Sequence, residues 1–157
     1  MYWRLEKGER WDDLKGAPAR RRFRKLVESG EAMGAIAFAG DEPVGWIAYG
    51  PRTSFPRLDR ARTLGCPDSG EVWALPCFFI KAGWRDRGVA TTLLAHALKS
   101  LRRRRAKIVE GYPVNLNPGQ RMPNAFAWTG TRSLFADAGF ELAGPATTSK
   151  VRMRRKP

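Results

Sequence analysis

Apolar residues recur along this chain with two different periods, and the switching between them predicts a mixed α/β domain. From Ala17 to Ser29 the positions Phe23, Leu26 and Val27 share one helical face, with Gly30 just beyond the end. Ala35–Ala39 and Val44–Tyr49 are short apolar runs joined by Gly40-Asp41-Glu42-Pro43, the composition of a hairpin turn. Val72–Ile80 is almost uninterrupted, as expected of a central strand buried on both faces. Within it Pro76 has no N–H to offer a ladder, which predicts a bulge or a splay. A second helix starts near Arg87, because Val89, Leu93, Ala97 and Leu101 follow at helical spacing. Ile108–Val114 reads as a strand, 115–124 as a polar loop, Thr131–Ala138 as a helix stopped at Gly139, and Phe140–Leu142 and Lys150–Met153 as closing strands. Met1–Glu6 reads as a short first strand. Pro51–Gly70 reads as a basic, irregular loop with one short helical piece, placed to face a substrate.

Length and composition narrow the class. A chain of 157 residues, 43% of them hydrophobic, fits one domain over residues 1–157 with material for a sizeable core. No segment approaches the ~20 apolar residues of a membrane span. Met1–Glu6 lacks a signal peptide's apolar centre, so the reading is cytoplasmic, with no membrane partner. Cys66 and Cys77 form no CxxC pair, and the single histidine, His96, has no ligand cluster around it; free thiols and no metal are expected.

Charge alters the picture more. Twenty-nine basic against 15 acidic residues leave a net +14, a field that attracts polyanions. Two runs concentrate it, 20–25 and 102–105. Both fall in helical patterns, and the second sits where a helix ends and cations complement its dipole. A solvated face is the favoured reading and a nucleic-acid surface the rival one. The same field would help draw in a phosphorylated cofactor. It would repel polycations and suits small molecules bearing a carboxylate, or acidic peptides.

The chemistry concentrates at Arg85-Asp86-Arg87-Gly88-Val89-Ala90, where a strand passes through a glycine turn into a helix. The first turn of a helix leaves backbone N–H groups without partners and carries partial positive charge. Gly88 lets the backbone approach a bulky anion, Arg85 and Arg87 add charge, and Thr91 and Thr92 add hydroxyls. That is a cradle for a pyrophosphate. It is neither a GxxxxGK[ST] loop nor a GxGxxG turn. On spacing alone, a glycine that merely permits a tight turn fits equally well.

Here the sequence resembles the GNAT superfamily of N-acetyltransferases. Arg85-x-x-Gly88-x-Ala90 matches its [Q/R]-x-x-G-x-[G/A] motif, Phe78-Phe79-Ile80 is similar to the strand ahead of it, and Leu134–Phe140 looks like its L-Y-x-x-x-G-F segment. The resemblance implies a mostly antiparallel sheet with one splayed parallel strand pair, flanked by helices. It implies acetyl-CoA as co-substrate and an amine acceptor, a small molecule or a peptide, attacked directly in a ternary complex; a homodimer is compatible with it. Phe78, Phe79 and Ile80 would meet the pantetheine arm, with backbone groups of Phe78 and Ile80 pairing to its amides. Arg85, Asp86, Arg87, Gly88, Val89, Ala90 and Thr91 would wrap the pyrophosphate.

Two departures stand out. Phe135 occupies the position of the family's tyrosine acid, and Ala74 that of a glutamate some members carry in the central strand. Glu110 and Tyr112 are the candidate substitutes, since residues two apart share one face of a strand. Glu110 is the candidate base, directly or through water, and Tyr112 the candidate thiolate acid or acceptor clamp; an ion-paired glutamate and a packed tyrosine are the plainer readings. Glu71 is the reserve base. Cys77 reads as a core thiol, His96 as structural or exposed, and Phe126 and Trp128 as walls of an acceptor pocket or simply core. Two other functions stay open: an acyl-CoA sensor without catalysis, and a basic nucleic-acid-binding module.

Overall fold

The computed structural model of the chain describes residues 1–115, 128–146 and 149–157. Its elements, in order, are helices α1 (Trp11–Leu14) and α2 (Ala17–Glu28), strands β1 (Met33–Ala39) and β2 (Glu42–Pro51), helix α3 (Pro56–Arg60), strand β3 (Val72–Ile80), helix α4 (Val89–Arg103), strand β4 (Ile108–Gly111), helix α5 (Arg132–Asp137), and strands β5 (Glu141–Leu142) and β6 (Met153–Arg155). The six strands form one sheet in the order β1-β2-β3-β4-β6-β5. Every neighbouring pair is antiparallel except β3 and β4. The expected mixed α/β architecture, with one parallel pair inside a mostly antiparallel sheet, is the one observed.

Alternation along the strands sorts side chains to two faces. Ile47 and Tyr49 of β2, with Leu75 and Phe78 of β3, pack against Leu93, Leu94, Ala97 and Leu101 of α4. Each buried leucine contributes about 1.5–3 kcal/mol over its exposed state. The Tyr49 hydroxyl meets Ser100 Oγ at 3.1 Å, so even the polar tip is satisfied. On the other face α2 lays Phe23 on Trp46 of β2, with ring centres 5.6 Å apart. A smaller core of Trp3, Phe55, Leu58, Leu64, Ala74 and Tyr112 lies beside it.

Three expectations need correction. The opening residues form a 3₁₀ turn, Tyr2–Arg4, because Tyr2 and Trp3 are drawn onto the smaller core and find no strand edge to extend. The last strand is shifted to Met153–Arg155, where Met153 and Arg155 oppose Gly111 and Val109 of β4. The segment 51–70 is more than a loop, since it folds as Arg52–Ser54 and α3 and buries Phe55, Leu58 and Leu64. Among the described residues no helix is long and apolar enough to cross a membrane, and no group of three His, Cys, Asp or Glu side chains stands together as a metal site.

Candidate functional site

The central feature is the parting of β3 from β4. Their parallel pairing runs from Val72 opposite Ile108 to Leu75 opposite Gly111 and stops there. β3 continues to Ile80 beside β2, while the chain after Gly111 is led away and Val114 bridges to Thr131 and Lys150. Pro76 begins the parting, and the β2–β3 register slips beside it, between Ala48 and Gly50. Both effects follow from a proline that cannot donate to a ladder. Lys81 N–H bonds to the Val44 carbonyl, at 2.8 Å. Backbone groups alternate sides in an antiparallel pair, so those of Phe79 face Trp46 and those of Phe78 and Ile80 face the gap left by β4. Two fixtures mark this edge. Trp3 Nε1 donates to the Pro76 carbonyl at 3.1 Å, and Arg85 Nε donates to the Ile80 carbonyl at 3.3 Å.

β3 ends at the corner that opens α4. Asp86 takes a φ of 57°, and Gly88, the N-cap of α4, takes φ 76° and ψ 0°. The left-handed region disfavours any residue with a β-carbon, which is why glycine stands at 88. No side chain caps the helix, and Thr92 N–H bonds to the Gly88 carbonyl at 3.0 Å. The N–H groups of Val89, Ala90 and Thr91 have no helical acceptor behind them. Residues 86–88 and 91 are exposed, and nothing lies within 4 Å of where a β-carbon on Gly88 would stand. The corner is open. Arg87 leans over the Trp84 ring, 5.6 Å from its centre.

On the α2 side of the gap lies a cavity of about 490 Å³. Trp3, Trp11, Phe23, Trp46, Phe79 and Trp128 supply much of its wall, and Arg4 and Cys77 also line it. Of the two aromatic residues expected there, Trp128 does reach this wall, with ring centres 5.7 Å from Tyr2 and 5.6 Å from Trp3. Phe126 lies outside the described residues. Sequence reasoning missed Tyr2, Trp3 and Trp11. Their density in the first eleven positions was the available signal.

Glu110 and Tyr112 do share a face, and both are fully buried. Glu110 is enclosed by arginines: Arg52 Nε at 3.1 Å on one oxygen, Arg154 Nε at 2.5 Å and Arg152 Nη1 at 3.3 Å on the other. Arg52, also fully buried, donates further to Asp59, to Ser69 and to the Leu64 carbonyl. Arg154 forms a two-pronged pair with Asp68, both contacts at 2.8 Å, and this hydrogen bonding holds the Asp68 carboxyl down at about 2. The Tyr112 ring lies 5.8 Å from the Arg52 guanidinium and 6.5 Å from the Trp3 ring. Its hydroxyl has no hydrogen-bond partner among the described residues. Burial first, and the nearby Glu110 charge second, push this phenol well up.

The remaining candidates sort readily. Burial pushes the Cys77 thiol up to about 11, so it is a poor nucleophile at neutral pH. His96 is exposed on α4. Glu71 is exposed five residues before Pro76, ~16 Å of extended chain from where the strands part. The arginines at 102–105 are solvated, as are Arg20, Arg21 and Arg24. Phe135 is fully buried and packs its ring against Phe78 and Phe140, at 6.0 and 5.0 Å.

Comparison with known proteins agrees with this geometry. Residues 2–118 match the acetyltransferase (GNAT) family. Among solved structures, PaiA N-acetyltransferase from Thermoplasma acidophilum, in complex with coenzyme A, gives a TM-score of 0.59 at 17% identity, covering 94% of this chain and 76% of that one. YncA from Salmonella typhimurium, with its cofactor acetyl-CoA, gives 0.59 at 12% identity, covering 97% and 80%. Ribosomal-protein-alanine N-acetyltransferase from Brucella melitensis gives 0.58 at 18%, covering 88% and 77%. At these identities the likeness is one of fold. No curated protein is significantly similar to this chain.

Proposed function

Since the chain belongs to the GNAT acetyltransferase family, whose members use acetyl-CoA, we propose that it transfers the acetyl group to an amine by direct attack in a ternary complex. One observation carries this reading: among the described residues no strand pairs with the outer edge of β3 from Pro76 to Ile80, and that edge runs into an open, positively polarised helix corner. An elongated molecule with a diphosphate at one end and amides along its arm fits that path. Phe78 and Ile80 would pair backbone groups with the arm, as an added strand does. Arg85, Asp86, Arg87, Gly88, Val89, Ala90 and Thr91 would enclose the diphosphate through main-chain N–H groups and the helix dipole. Phe79, whose backbone faces Trp46, contributes its ring to the cavity instead. When bound, acetyl-CoA supplies an activated acyl thioester.

The residues then divide the work. Tyr112 is assigned as proton donor to the departing thiolate on position, one residue past the point where β3 and β4 part; its hydroxyl holds its proton and has no partner among the described residues. Glu110 is assigned a holding task in place of the base role read from sequence. Three guanidinium groups occupy its oxygens, which leaves neither oxygen free to face an acceptor amine. The cavity wall carries no carboxylate among the described residues, so the amine loses its proton to water before attack. The sensor reading has one observation in its favour, the lack of a hydroxyl on buried Phe135. Turnover on any amine excludes it.

The cradle is tested by calorimetric titration of acetyl-CoA into the wild type and Gly88→Glu. A glutamate there is strained at φ 76° and brings negative charge into the corner. Binding is expected to weaken at least tenfold. A variant that binds as tightly as the wild type removes the cradle assignment.

A further inference from the structure

The cavity beside the splay is walled by aromatic rings, yet Arg4 lines it as well, beside Met1, whose amino group burial holds below its usual pKa. Arg4 is only 9% exposed. Its guanidinium lies 4.4 Å from the centre of the Phe55 ring, and Nη1 donates to the Ser54 carbonyl at 3.2 Å. No carboxylate pairs with it within salt-bridge distance among the described residues; Glu31 acts on it only through its field. The contrast with Arg52 is instructive. That buried arginine is ringed by Glu110, Asp59 and a carbonyl, as buried cations ordinarily are. Among the described residues Arg4 has one neutral acceptor for its five N–H donors. A cation withdrawn from water and left without an anion is costly, unless a ligand supplies one.

The geometry points to an acceptor that brings its own carboxylate: we infer that the substrate is a small amine with an aromatic body and a carboxylate, the ring lying among Trp46, Phe23, Trp11 and Trp128 and the carboxylate on Arg4. This inference rests on the acetyltransferase reading for the amine, and on the cavity alone for the other two groups. A planar guanidinium takes a carboxylate in a two-pronged pair, which a water-filled pocket would weaken and an aromatic one strengthens. Offset and edge-on rings favour an aromatic guest over an aliphatic one of equal area. A volume of about 490 Å³ holds a molecule of this class. The positive surface steers such an acid inward and repels polyamines, in keeping with the net charge of +14.

The test separates the acid from the amine. Phenylalanine and tryptophan are compared with phenethylamine and tryptamine as acetyl acceptors, and 3-phenylpropionate, which has the acid but no amine, is titrated by quenching of tryptophan fluorescence. The wild type is expected to favour each amino acid over its decarboxylated counterpart at least tenfold in kcat/KM, and to bind 3-phenylpropionate. In Arg4→Met that ratio is expected to collapse towards one and the binding of 3-phenylpropionate to weaken at least tenfold. A wild type that prefers the decarboxylated amines, or an Arg4→Met variant that keeps the ratio, overturns the inference. Should Arg4→Met fail to fold, the wild-type ratio and the 3-phenylpropionate titration decide alone. If no amine is acetylated, 3-phenylpropionate that binds more tightly than phenethylamine still supports the carboxylate site and counts against the acetyltransferase reading. Turnover confined to acidic peptides overturns the inference.

Discussion

The ring of Phe135 lies directly over the α-carbon of Gly111. A β-carbon at 111 would come within 2.2 Å of the ring's Cε1. This close approach joins α5 to the last residue of β4, at the point where β4 leaves β3. The reason for glycine at 111 is therefore one of packing and not of backbone conformation. Gly111→Ala is expected to force the ring out of place at a cost of about 1–3 kcal/mol or more. At roughly 2–4 °C per kcal/mol for a chain of this size, the melting temperature falls by several degrees. Adding Phe135→Leu should restore part of the loss. An unchanged melting temperature for Gly111→Ala would show that the ring moves aside freely.

Glu110 holds one buried and two partly buried arginines, so removing its charge leaves them facing each other. Breaking a buried ion pair from one side costs about 3–5 kcal/mol. Glu110→Gln is expected to melt well below the wild type. Assayed at a temperature where it remains folded, its kcat should stay within a few-fold. A hundredfold loss of kcat without loss of stability would return the base role to this residue.

Tyr112 predicts the opposite combination. Among the described residues its buried hydroxyl has no partner, so Tyr112→Phe should leave the melting temperature equal or raised. As the thiolate acid it supplies about 10²–10⁴ in rate, and kcat should fall accordingly with acetyl-CoA affinity spared. Because burial pushes the phenol well up, the wild-type rate should climb with pH to the amine's own pKa and hold there through pH 9. Unchanged kcat in the variant removes the acid assignment.

Asp68 provides a handle on stability against pH. Its carboxyl sits at about 2 in the folded chain, held down by Arg154, against about 3.9 when unfolded. A depressed folded value means the pair stabilises fully above the unfolded pKa and is lost as pH falls through the folded one. The melting temperature of Asp68→Asn should lie below the wild type at pH 6, and the gap should close between about pH 4 and pH 2. A gap that persists at pH 2 means the pair acts through packing and not charge.

The sequence by itself determined the order of elements from α2 onwards, the helix start at Gly88 and the irregularity beside Pro76 in β3. Each of these follows from local chemistry: a period of apolar residues, a glycine that alone accepts a positive φ, a proline without an N–H. Even the departure at Phe135 was readable, because it is a missing hydroxyl at a motif position. Tertiary structure alone decided what the side chains meet. Glu110 and Tyr112 were rightly placed on one face, but the three arginines around Glu110 come from residues 52, 152 and 154, and no spacing rule brings them together. Likewise Tyr2, Trp3 and Arg4 read as an opening strand, yet they leave that role to line the cavity beside β3. Burial and ion pairing depend on distances across the folded chain, and it is those distances that surround Glu110 with guanidinium groups and set Arg4 beside an aromatic cavity.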